Sequence, residues 1–334
     1  MNIPCRQFPT DLPFRHNCSV VPLSPSEGER VRERGPNAAF TLADLLALLG
    51  AFVLLALLLT PALARTRVSD KGFLCLNNFR QLMAAMTMYT HDYQNWLPPN
   101  PDDGNTTPYG NWVGGQAGIG GGSEYDPDIL KDPTRSLLAP YQGANVSVYH
   151  CPADNRPPGL PDGESANDPA LKGKKISNSR SVSMSSAVGT LVSYAAGGGR
   201  LAVYGPWLSG GHNEAPQTTW YTFGKTTDML RPGPANTLVL MDENKFSIND
   251  GCFATVGPKQ PPTYEIIDWP SIAHNGACSV AFGDGHAVTH KWKDLRTYLN
   301  TFPNGTPIQS GNQDIWWLSV KTTALRAGPD FQAP

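Results

Sequence analysis

The feature that most constrains this chain is Leu45–Leu59, LLALLGAFVLLALLL, which holds no charge and no strongly hydrogen-bonding side chain. Extended from Phe40 to Ala64, the apolar stretch is interrupted only by Thr41, Asp44, Thr60 and Pro61. At about 1.5 Å per residue, a helix of this length covers the roughly 30 Å of a hydrocarbon core. A core helix of a globular domain is normally amphipathic, whereas this one is apolar all round. The reading is therefore a single-pass inner-membrane protein with its C-terminal part extracytoplasmic, in the periplasm or at the cell surface. A secretory signal is the competing reading, because Ala62-Leu63-Ala64 fits a small-residue cleavage motif. Asp44 inside the apolar run and the long segment before Phe40 weigh against it. Residues 1–39 lack apolar periodicity, and Arg30, Arg32 and Arg34 favour a cytoplasmic location for them.

Beyond the apolar run, Cys75, Phe79, Leu82, Met86 and Tyr93, with Met83 beside them, recur at intervals of three, four and seven. Residues 65–97 thus read as the domain-facing half of the same helix, stopped before Pro98-Pro99. From residue 98 to 334 the pattern changes. Thirty-three glycines and 31 prolines over the chain predict many loops and short strands. Strands are expected at Val146–Cys151, Gly189–Tyr194, Thr237–Met241 and Cys278–Phe282. His286–Trp292 follows across Gly283-Asp284-Gly285, which predicts a hairpin over 278–292. The fold class expected is α+β: a long kinked N-terminal hydrophobic helix on a loop-rich antiparallel sheet.

Twenty-six basic against 28 acidic residues leave a net charge of −2 and no electrostatic footprint for nucleic acid. No CxxC pair, P-loop, G-x-S-x-G or H-E-x-x-H occurs, so neither an enzyme class nor a cofactor is indicated. Four of the six cysteines follow the apolar run, and in an oxidising compartment they can form disulfides. Cys75 begins the domain-facing half and Cys151 ends a strand that could pack there, so Cys75–Cys151 is the expected pair. Cys252–Cys278 is the second candidate.

Phe40-Thr41-Leu42-Ala43-Asp44-Leu45-Leu46 resembles the start of mature type IV pilins and type II secretion pseudopilins. The resemblance implies cleavage and methylation by a prepilin peptidase between Ala39 and Phe40, although that family prefers Gly where Ala39 stands and Glu where Asp44 stands. It implies that Asp44 governs assembly with neighbouring subunits, and that Pro61 kinks the helix. CLNNFRQL after the apolar run, Cys151-Pro-Ala-Asp154, Leu240-Met-Asp-Glu243 and His274-x9-Asp284-Gly285 resemble a planctomycete-type subfamily with a C-terminal His-x9-Asp-Gly signature. The implied protein is a non-enzymatic pseudopilin-like subunit of a type II secretion or type IV pilus-like assembly. Its implied partners are other pilin-like subunits, the assembly machinery, the peptidase and membrane lipid. A secreted or anchored carbohydrate-binding or hydrolytic domain is the alternative function.

Two readings of the signature remain open. His274, Asp284, His286, His290, Asp242 and Glu243 offer imidazoles and carboxylates, with His274, Asp284 and His286 the candidate metal ligands. In the simpler reading, His274, Asp284 and Gly285 are structural: Asp284 shapes the turn and His274 ties it to the segment before the hairpin.

Overall fold

The computed structural model describes residues 41–103, 106–192, 199–212, 215–260, 262–298 and 308–332. Ala39, Phe40 and the leader 1–39 lie outside the described residues. The chain divides into two compact units, Met1–Leu57 and Leu58–Pro334.

Helix α1 runs over Leu42–Asp92, and its helical backbone continues through Pro61. Within the larger unit, Cys75, Phe79, Leu82, Met83, Met86 and Tyr89 are buried at helical spacing and form the face that enters the core. Tyr89 takes the place expected for Tyr93, which lies past the helix end and is 39% exposed. The stop is made before the prolines: Gln94 and Asn95 adopt positive φ, and Asn95 N–H bonds back to the Thr90 carbonyl at 2.7 Å.

A five-stranded sheet is built from β1 (Val182–Ser185), β4 (Leu238–Asp242), β5 (Cys252–Phe253), β6 (Ala277–Phe282) and β7 (Ala287–Lys291), in the order β5-β1-β4-β6-β7. A separate pair, β2 (Thr190–Val192) and β3 (Arg200–Ala202), is antiparallel. Every residue of β1, β4 and β6 is buried, because both faces of the large sheet are covered. Leu240 and Ala281 join the cluster that holds the buried face of α1. Met241, Cys278, Val280 and Phe282 join a second cluster with Trp317 and Leu318 of helix α2 (Gln313–Thr322). One helix therefore lies on each face, which accounts for apolar runs without alternation.

The expected fold class is corrected by this arrangement. The sheet is mixed and not antiparallel, since β5 pairs parallel to β1. The second small sheet and α2 were not expected, and Val146–Tyr149 is a 3-10 turn where a strand was anticipated. Strand runs are legible from β-rich composition, but pairing direction depends on the long β1-to-β5 connection, which local pattern does not encode.

The expected membrane location is corrected as well. Among the described residues no helix is long and apolar enough to cross a membrane. Its later half carries the charged stretch Arg65–Lys71 and then an amphipathic face.

In the smaller unit, Thr41 and Asp44 form a reciprocal cap. Asp44 Oδ2 accepts from Thr41 N at 3.0 Å and from Thr41 Oγ1 at 2.7 Å, and Thr41 Oγ1 accepts from Asp44 N at 3.2 Å. Leu42, Leu45, Leu46, Leu48, Leu49 and Phe52–Leu55 are all exposed.

Candidate functional site

Four segments far apart in sequence converge between α1 and the large sheet. Gly72 and Cys75 lie one helical turn apart on the same face of α1. Cys151 follows the Val146–Tyr149 turn, whose start Asn145 caps by accepting from Ser147 N at 3.3 Å. Asp242 ends β4 on the side shared with Leu240, two residues earlier. His274 stands in the reversal before β6, where its N–H donates to the Ala277 carbonyl at 3.1 Å. The reversal is made by Asn275 and Gly276, at φ 56° and 76°.

The side-chain donor atoms of Cys75, Cys151, Asp242 and His274 all lie within 4.8 Å of one another. Cys151 Sγ is 3.2 Å from His274 Nε2. Ser181 holds two members in place: Cys151 N donates to Ser181 Oγ at 2.8 Å, and Ser181 Oγ donates to Asp242 Oδ1 at 2.7 Å. The His274 ring lies over α1 at Gly72, where an added Cβ would stand 3.6 Å from Nδ1. All four residues are buried, and both cysteines are free thiols. The expected Cys75–Cys151 pair is thus brought together without being bridged. Cys252 and Cys278 are also free; β1 and β4 separate their strands, which at about 4.8 Å per strand exceeds the reach of a disulfide.

Hydrogen bonding and burial shift three of the four residues, Cys151, Asp242 and His274. The hydrogen bond with Cys75, then burial, raises the Cys151 thiol well above its ordinary range. Burial pushes the Asp242 carboxyl up to about 7, against the opposing bond from Ser181. Burial, with Lys71 nearby, lowers His274. Asp242 Oδ2 and His274 Nδ1 are buried without a hydrogen-bond partner. Asp242, alone of the four, also lines a cleft of ≈ 270 Å³, with Asp154, Ser181, Ser271 and Ala273. The neighbouring Glu243 takes different partners, accepting from Ser183 Oγ at 2.5 Å and Ser247 Oγ at 2.7 Å.

The His-x9-Asp-Gly signature does not form one site. His274 and Asp284 stand at opposite ends of the six-residue β6, roughly 20 Å apart at 3.4 Å per residue. The expected tie between them is therefore corrected, and His274 does not stand with the other two candidate metal ligands, Asp284 and His286. Asp284 instead accepts from His286 N at 3.1 Å and meets His286 Nδ1 at 2.5 Å on the exposed hairpin turn, with Gly285 at φ 89°. His290 stacks on Trp317 with ring centroids 3.8 Å apart, which makes it part of the cover over the α2 face. The signal that could have found the cluster was Cys151-Pro-Ala-Asp154 together with Asp242, read as partners of His274. Ser181 had no signal of its own in the sequence.

Comparison with known proteins finds no matching family model, no matching curated protein and no matching solved structure.

Proposed function

We propose that this protein is a non-enzymatic, pilin-like subunit of the pseudopilin kind, which joins other such subunits through the first part of α1. The observation that carries the reading is the unbroken exposure of Leu42, Leu45, Leu46, Leu48, Leu49 and Phe52–Leu55. Apolar surface of that continuity requires a partner surface, and like helices from neighbouring subunits supply one. The resemblance of Phe40–Leu46 to the start of mature pilins supports the same reading. In that role Asp44 has two tasks. It caps its own helix through Thr41, and it offers a carboxylate to a positively charged group of the adjoining subunit.

The test places a photo-reactive amino acid at Leu49 in the full chain expressed in its native host. Adducts with further copies or with other pilin-like subunits are expected, reduced several-fold by Asp44→Ala. A chain that yields no protein adduct at Leu49 refutes the assembly role.

A further inference from the structure

We propose that Cys75, Cys151, Asp242 and His274 form a binding site for one Zn²⁺ ion that staples α1 to the sheet. The proposal stands independently of the assembly role. A tetrahedral zinc with thiolate, imidazole and carboxylate ligands has ligand–ligand edges of about 3.3–3.8 Å. The four donor atoms already lie within 4.8 Å of one another and the Cys151–His274 edge is 3.2 Å, so the tetrahedron is completed by a small adjustment in which that edge widens and the longer ones shorten.

The donor chemistry selects the metal. Two sulfurs and an imidazole suit zinc and disfavour Mg²⁺ and Ca²⁺, which take oxygen ligands. The burial is that of a closed structural site: Cys75 is 1% exposed, Cys151 2%, Asp242 1% and His274 8%. A second observation points to a ligand. Asp242 Oδ2 is buried without a partner, a costly state that a cation at the centre of the group relieves. The other oxygen, bonded to Ser181, has the partner that orients a ligating carboxylate. Zn²⁺ displaces the protons of the two thiols, which are released to solvent on binding. The site joins the helix, the Cys151 loop, β4 and the turn before β6.

The rival for the same atoms is a Cys75–Cys151 disulfide, and one experiment separates the two. The full chain is purified under reducing conditions with Zn²⁺ supplied, freed of loose metal by gel filtration, and its zinc measured. About one zinc per chain is expected, falling below roughly a tenth in Cys151→Ser and in His274→Ala. Cys252→Ser, which removes a buried thiol on β5 at the far edge of the sheet, should keep its zinc. Because the first two variants could fail through misfolding, the unmodified chain is also loaded with Co²⁺, whose thiolate charge-transfer absorption reports sulfur ligation directly. Absence of zinc and of that absorption overturns the proposal. So does zinc retained in Cys151→Ser, or a Cys75–Cys151 disulfide found by non-reducing peptide mapping of the protein isolated from its host.

Discussion

Gly276→Ala tests whether the reversal that carries His274 is fixed by backbone geometry. Gly276 sits at φ 76°, and a Cβ built there overlaps the Tyr298 ring. Two costs are expected. An L-residue forced into positive φ costs on the order of 1 kcal/mol. The ring must also move, which breaks the Tyr298 O–H bond to the Trp292 carbonyl, 2.7 Å long and worth about 0.5–1.5 kcal/mol. Repacking of the displaced ring adds roughly 1–2 kcal/mol. The total is about 2.5–4.5 kcal/mol, a large loss for a single added methyl. The steric part can be isolated by a double-mutant cycle, measured by urea unfolding of the full chain followed by tryptophan fluorescence. With Tyr298→Ala already in place, Gly276→Ala should cost only the backbone part, about 1 kcal/mol, so the two substitutions couple by roughly 1.5–3.5 kcal/mol. Strictly additive effects would show that the ring and the turn do not meet, and the reasoning would fail.

Other perturbations address other parts of the fold. Asn312 caps α2, its Oδ1 accepting from Asp314 N at 2.9 Å and Ile315 N at 3.4 Å; Asn312→Ala should lower stability by about 1 kcal/mol in urea unfolding, and an unchanged midpoint would count against the cap. His290 is pushed down to about 4 by burial against Trp317, and its Nε2 has no partner. Its folded value lies below the unfolded value of about 6.5, so its contribution is complete above pH ~6.5 and lost as pH falls toward ~4. Discounted for partial exposure, the loss is on the order of 1–2 kcal/mol. His290→Phe should flatten that part of the stability–pH curve relative to the parent chain, and parallel curves would refute the assignment.

Much of the local structure follows from the sequence by short-range physics. The buried stripe Cys75, Phe79, Leu82 and Met86 obeys helical spacing, and Gly283-Asp284-Gly285 encodes a turn in which Gly285 takes the positive φ that glycine adopts readily. These features are legible because each depends on neighbours within a few positions. The α2 cap at Asn312 is of the same kind and could have been read from Asn312-x-Asp314 before a mixed apolar run. The remaining decisions were tertiary. Parallel pairing of β5 with β1 joins segments separated by the whole of β2 to β4, and no local pattern fixes the direction of such a contact. The nine residues between His274 and Asp284 suggest proximity, but an extended strand lies between them and carries them to opposite ends of the hairpin. The partners of His274 are instead Cys75, Cys151 and Asp242, which only the packing of α1 against the sheet brings within 4.8 Å. Residue types limited which chemistry this chain could hold; where those residues met was decided by which faces of helix and sheet had to be buried together.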